Sequence, residues 1–495
     1  MALLAQQALA CAAGLLLALS CARVAAPRPA AEAPPPQFYS EEAPALSAED
    51  QGQDALAATR RADGGPRDSG EELPRLTPQE HMRRAAVYQA NRAFDEAREH
   101  WRTLIERFPS DENVPAAHFG IGRTLFQEKR YEEALPVFRR LGETYIETPA
   151  GRDGFYYVAA TLLRMDRPGE AAARYAEYAE RFPEGERIEN AYLNIIDSLR
   201  EAGRPEESLP WIERTRARFR GTATDANALF ARLRLDISRG DWQSALRSVE
   251  ELSRVSLTRA VNTNASELAY LRAFSLEKSG QKQQAARAYE GIADGIGSYF
   301  GGLATARLSK MGGAAKSSAL AREGRVRAEA KRSAAEYPAP YRDALVRAAR
   351  EQKIDPRLML AIMRQESGFK AQAKSGAGAR GLMQMTPDVG AKYAALLKLT
   401  LQSEDDLYRP EINIRLAAAY IGELERMFPA LPEAVAASYN GGEDSVARWV
   451  RRAVHDDPGI FTAEVGFTET KDYVHKVMAN YRAYKLLYTE DLKPR

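Results

Sequence analysis

The chain has 495 residues, enough for about three domains. Seventy Lys and Arg against 68 Asp and Glu leave a net charge of +2, which argues against a dedicated nucleic-acid binder. A charged fraction of 28% and a hydrophobic fraction of 45% are those of an ordinary water-soluble protein.

The first residues, MALLAQQALACAAGLLLALSCARV, carry no charged side chain before Arg23. Small and apolar, and followed by APRPAAEAPPP, residues 1–21 read as an export signal, with the periplasm as destination. An uncleaved anchor is the alternative, since about 20 residues suffice to cross a bilayer. Cys11 and Cys21 are the only cysteines. The body therefore has no disulfide and no cysteine metal site. ALSC at Ala18–Cys21 resembles a lipoprotein cleavage box, which would tie the protein to the outer membrane through Cys21. Otherwise Cys21 is discarded with the signal or left unmodified. Residues 22–77, rich in Pro, Ala, Glu, Asp and Gly, are expected to be a disordered leader.

From residue 78 the pattern turns to helical periodicity with no strand-like alternation. FDEA at 94, YEEA at 131, PGEA at 168, PEES at 205, WQSA at 242 and KQQA at 282 open similar segments. Their spacing is 37 residues four times and then 40. A constant period of this size marks stacked helix pairs, each covering the apolar face of the one before. The segments resemble tetratricopeptide repeats over residues 78–312, with Tyr131, Phe138, Tyr175 and Tyr178 as core positions. A protein partner from the cell envelope is one expected use for such a surface. Residues 313–336, with Lys316, Arg322, Arg325, Arg327, Lys331 and Arg332, read as a solvated linker or helix face.

A second domain is expected over residues 337–490. In KIDPRLMLAIMRQESGF, Asp355 is a helix cap, Pro356 fits the first turn and Gly368 is the stop. Leu358–Met363 leave no polar face, so the helix is buried on most sides. Glu366 then falls in its last turn. Burial and the negative end of the helix dipole both disfavour its charged form. They keep a proton on it near neutrality, as a general acid requires.

The stretch ESGFKAQAKSGAGARGLMQMTP resembles the signature of the soluble lytic transglycosylases. LYRPEINIRLAAAYIGEL, SYNGGEDSVARW and FTETKDYVHKV resemble three further blocks of that family in the same order. The likeness covers about 150 residues, from Tyr337 to Tyr488. It implies an all-α chain: a helical-repeat superhelix followed by a compact lysozyme-like α domain. It implies peptidoglycan glycan strands as substrate, no cofactor, and Glu366 as the single catalytic acid and base. Ser375, Met383 and Gln384 would line the saccharide cleft, Tyr439 would sit beside the sugar with Asn440 supporting its loop, and Glu469 and Tyr473 would close the far side; Met383 reads equally well as core packing and Glu469 as the holder of a loop. Gly376, Gly378 and Gly381 would let the backbone approach a sugar. Lys471 stands where the family often has Arg, Ser438 where it has Ala.

The reaction so implied breaks the bond between N-acetylmuramic acid and N-acetylglucosamine without water and leaves a 1,6-anhydromuramyl end. A lysozyme-like hydrolase needs a second carboxylate, for which Asp388 or Asp406 is conceivable. A third reading makes the repeats an envelope scaffold with a degenerate C-terminal domain. The five histidines (His81, His100, His118, His455 and His475) have no ligand spacing, and no metal is expected. A fragment starting near Ala335 is expected to fold alone and keep some catalysis.

Overall fold

The computed structural model describes residues 54–64, 73–376 and 378–495. The expected signal at residues 1–21, with Cys11 and Cys21, lies outside them. Among the described residues there are 23 α-helices and no β-strand, only isolated bridges. The all-α expectation holds.

Each of the six quoted repeat openings is the first residue of a helix: Phe94–Arg107, Tyr131–Thr144, Pro168–Arg181, Pro205–Arg218, Trp242–Leu252 and Lys282–Glu290. Acidic residues in the first turn of the first four complement the helix dipole. Phe138, Tyr175 and Tyr178 are fully buried, and Tyr131 packs partly buried against the same cluster.

One expectation is corrected, and another is resolved between its two readings, linker or helix face. Part of the leader is ordered: Asp54–Ala62 is a helix whose Leu56 joins Ala85, Tyr88, Ala97 and Trp101 of the first helix pair. Tyr88 donates to the buried Asp63 at 2.6 Å, and Arg84 pairs with the same carboxylate. Among the described residues no earlier repeat covers the first helix pair, and this helix packs there through Leu56, Asp63 and an Arg60–Glu96 ion pair at 2.8 Å. The linker is also mostly helix, Gly313–Arg332, with Ala319, Val326 and Ala330 buried. Lys316, Arg325, Arg327, Lys331 and Arg332 are exposed as expected, but Arg322 is buried. It donates to Thr305 Oγ1 at 2.7 Å and to the carbonyls of Glu290 and Ile292 at 3.0 and 2.7 Å. Its charge thus closes the end of the repeat helix Lys282–Glu290.

The described residues form one compact unit. The turns of successive repeats reach the C-terminal segment one after another. Arg92 pairs with Asp388 at 2.9 Å, Lys129 with Glu443 at 2.8 Å, and Arg164 donates to Ser445 at 2.6 Å. Arg200 pairs with Glu464 at 2.6 Å, Tyr270 donates to Asp457 at 2.9 Å, and Arg482 pairs with Asp294 at 2.5 Å. Over this stretch the repeats hold the chain's own C-terminal domain.

Candidate active site

Glu366 lies in the last turn of the helix Pro356–Ser367, as its sequence specifies. Asp355 caps the helix by accepting from Arg357 N at 2.8 Å, Pro356 is its first residue, and Gly368 ends it in the left-handed region at φ 55°. Leu358 to Met363 have at most 1% of their surface exposed. The helix is therefore fixed by burial on nearly every side, and only its C-terminal turn reaches solvent.

The carboxyl itself is only partly exposed. Burial pushes it up from 4.5 to about 7, against a hydrogen bond from Tyr473 that pulls the other way; the Glu469 charge adds to the upward push. Such a displacement is worth roughly 3 kcal/mol against ionisation. Tyr473 Oη donates to Glu366 Oε1 at 2.6 Å from the helix Thr468–Leu487. A group with a value near 7 can serve as acid and as base at neutral pH. Asp388 is engaged with Arg92, and Asp406 accepts from Gln402 N and Arg409.

The loop after Glu366 is tied down internally. Ser367 Oγ donates to Leu382 O at 2.7 Å, joining the acid helix to the Gly–Leu–Met–Gln turn. Isolated bridges pair Arg380 with Lys374 and with Met385. Ser375 Oγ accepts from Ala379 N at 3.1 Å. Gln384 has a left-handed backbone, φ 47°, and its Nε2 donates to Ala373 O and Gly381 O at 3.1 and 2.9 Å. These two side chains brace the loop and remain partly exposed. Gly381 is glycine for an internal reason. Its φ is +81°, and a Cβ there would sit 2.2 Å from Leu407 O, so the close approach is to the protein's own backbone.

Of the two readings of Met383, cleft wall or core, its side chain takes the core. It has no exposed surface. Its backbone serves instead: Met383 N donates to Asn413 Oδ1 at 2.7 Å, and Met383 O accepts from Tyr439 Oη at 2.8 Å. Tyr439 stands in the helix Pro432–Gly441, and its ring packs tilted by 32° against Tyr420 at 5.3 Å between centroids. Asn440 is exposed and accepts from Thr470 Oγ1 at 2.6 Å, which links the Tyr–Asn block to the first turn of the Tyr473 helix. Glu469, in the same first turn, is exposed.

Asn413 escaped notice as a site residue. It is fully buried, and its Nδ2 donates to Arg380 O and Leu407 O at 3.0 and 2.7 Å. Its amide thus ties the loop after Glu366, at Arg380 and Met383, to the turn at Leu407. The signal was present in PEINI, an Asn between two isoleucines where an apolar residue would suit the helix better. The histidines are scattered. His81 and His100 face each other within the first repeat at 3.0 Å between Nδ1 atoms, and His475 stacks on Tyr299 at 5.1 Å.

Residues 343–459 match a family model described as the transglycosylase SLT domain, and residues 82–144 match a tetratricopeptide repeat model. The chain is 35% identical to a putative soluble lytic murein transglycosylase of Haemophilus influenzae over 158 residues, 31% of this chain and 26% of that protein. It is 31% identical to the soluble lytic murein transglycosylase of Salmonella typhimurium over 150 residues, 30% of this chain and 23% of that protein. The chain thus spans about a quarter of the length of these relatives. Among solved structures, an inactive mutant of lytic transglycosylase Slt from Pseudomonas aeruginosa is similar with a TM-score of 0.48 and 20% identity, covering 88% of this chain and 78% of that one.

Proposed function

We propose that this chain, which carries a transglycosylase SLT domain behind tetratricopeptide repeats, is a peptidoglycan lytic transglycosylase. The observation that carries this reading is one carboxyl, Glu366, held near neutrality and hydrogen-bonded by Tyr473. In the first step the Glu366 proton goes to the oxygen joining N-acetylmuramic acid to N-acetylglucosamine, and the C1–O bond breaks. The acetamido group of the muramyl sugar shields the positive centre, a substrate-assisted route. Tyr473 then stabilises the new carboxylate. In the second step that carboxylate takes the proton of the same sugar's 6-hydroxyl as its oxygen bonds to C1. Glu366 is restored and no water is consumed. The 6-hydroxyl is already held beside C1, which gives it an entropic advantage over free water. Tyr439, Ser375, Gln384, Asn440 and Glu469 are assigned to the cleft that holds the sugars.

Digestion of purified sacculi in ¹⁸O-labelled water is expected to give 1,6-anhydromuramyl ends by mass spectrometry, without label. Label entering new muramyl ends, with no anhydro product, would make the enzyme a lysozyme-type hydrolase. No digestion at all would leave the repeats as the functional part.

The site of action follows from the substrate and from the apolar residues 1–21. Among the described residues no helix is long and apolar enough to cross a membrane. We place the protein in the periplasm, with the signal removed and Cys21 as a candidate lipid anchor. Mass analysis of the mature protein is expected to show residues 1–20 missing. An intact Met1 on cytoplasmic protein would refute export, and cleavage without lipid would refute only the anchor.

A further inference from the structure

We propose that Glu267, in the repeat helix Ala265–Lys278, positions the catalytic carboxyl from outside its own domain, by fixing Lys471 and with it the turn that carries Tyr473. This rests on the reading of Glu366 as the acid.

Lys471 is 2% exposed and Glu267 is fully buried. Lys471 Nζ donates to Asn262 O at 2.7 Å, to both Glu267 oxygens at 3.2 and 3.3 Å and to Ala463 O at 3.4 Å. Its charge also lies 4.7 Å from the centre of the Phe230 ring. Three of these neighbours, Phe230, Asn262 and Glu267, belong to the repeats. Residues 471 and 473 are two apart on one helix, about 200° around its axis. The lysine therefore faces the repeats while Tyr473 faces Glu366.

The turn needs an outside anchor. The helix Thr468–Leu487 begins at Phe467 with no side-chain cap. Its first turn is held by Thr470 on Asn440 and by Lys471 on the repeats. Asn262 contributes twice, since its Nδ2 also donates to Val465 O at 2.9 Å just before the helix. Asn262 is itself held by Asn227, which accepts from Asn262 N at 2.8 Å and donates to Ala260 O at 2.9 Å. The anchor thus sits on a braced loop.

The charges around both ends are few. Tyr473 and Glu469 from the Thr468–Leu487 helix bear on Glu366, and Tyr439 lies beside it from Pro432–Gly441. Glu267, Arg234 and Glu464 bear on Lys471. Burial disfavours charge on Lys471 and on Glu267, so each depends on the other to stay ionised. Neutralising Glu267 leaves a buried cation without its charged partner, and the uncapped first turn of the Thr468–Leu487 helix, which carries that cation, is the element that yields. Tyr473 then loses its 2.6 Å bond, and Glu366 holds its proton more tightly.

The test uses the full chain labelled with ¹³C at the glutamate carboxyls, with the Glu366 signal identified by its loss in Glu366→Gln. This readout needs no substrate, so it stands even if the proposed activity fails. The wild-type signal is expected to titrate at about 7. Tyr473→Phe and Glu267→Gln should each raise that midpoint by about one pH unit, the worth of one hydrogen bond to a carboxylate. The double variant should move no further than Tyr473→Phe alone, and Lys471→Arg should keep the wild-type value. On peptidoglycan, Glu267→Gln should lower kcat with KM nearly unchanged. A folded Glu267→Gln protein with an unmoved midpoint overturns the proposal. So does a shift that adds in full to that of Tyr473→Phe. If Glu267→Gln does not fold, Glu267→Asp, shorter by one methylene with its charge kept, is judged by the same criteria on a smaller shift.

Discussion

Glu366→Gln is expected to abolish peptidoglycan turnover while the chain stays folded. A positioned general acid contributes about 10²–10⁴-fold, and here one group would serve both proton transfers, so the loss should lie at or beyond the upper end. Gln keeps the size of the side chain and can still accept from Tyr473, so substrate binding should persist. The same variant carries a stability signature. The folded value of about 7 lies above the ordinary 4.5. Between those values the folded state holds a proton that the unfolded state has released. The favourable contribution is complete below about pH 4.5 and is lost as pH rises through 7. Gln has no charge to bury. At pH 8 the variant should be more stable than the wild type by roughly 2–3 kcal/mol, with no such gain near pH 4. Release of anhydromuropeptides and melting temperatures at both pH values check this. Near-normal activity in a folded Glu366→Gln protein would end the assignment.

Glu464→Gln is expected to produce the largest loss of stability. Glu464 is 2% exposed and faces three guanidinium groups: Arg200 at 2.6 Å, Arg452 at 3.2 Å and Arg234 at 3.3 Å. Those cations overcome the burial and hold its carboxyl down to about 2. Asp197 and Glu201 complete the cluster, with Arg452 to Glu201 at 2.7 Å. Two of the arginines come from the repeats and one from the C-terminal domain. Removing one member of such a network leaves buried charge uncompensated, at a cost of about 3–5 kcal/mol. Since the folded value is depressed, the contribution is present above the ordinary 4.5 and is lost as pH falls toward 2. The destabilisation should therefore be full at pH 7 and fade in acid, which thermal melts across that range would show. An unchanged melting temperature at pH 7 would mean that the cluster contributes nothing net.

That network changes what is expected of a fragment starting near Ala335. Cutting there takes Arg200 and Arg234 from Glu464, Glu201 from Arg452 and Glu267 from Lys471, and it uncovers Ile460 and Ala463, which pack in a cluster with Leu229, Phe230 and Phe274 of the repeats. The fragment should be less stable than the same segment in the whole chain, and any activity it keeps should be reduced. A fragment as stable and as active as the full chain would argue against this coupling.

The sequence by itself determined what is written within a few residues. The six repeat openings mark helix starts because a helix begins where its apolar stripe begins, and first-turn acids reinforce the first four. Asp355, Pro356 and Gly368 bound the acid helix because a cap, a first-turn proline and a left-handed glycine act on adjacent backbone. Glu366 stood out for the same reason, as a carboxylate at the end of an all-apolar turn. Only the tertiary structure decided the rest. Asn413 reaches the catalytic loop some 30 residues away, Glu267 reaches Lys471 across 204 residues, and Arg200 reaches Glu464 across 264. The helix at Asp54–Ala62 likewise exists through its contact with the first repeat, in a segment whose composition predicts disorder. The physical reason is common to all of these. Periodicity and capping act on neighbouring backbone and leave a local pattern. A buried polar partner is chosen by where folding brings the chain, and either residue alone is only a charge or an amide on a helix.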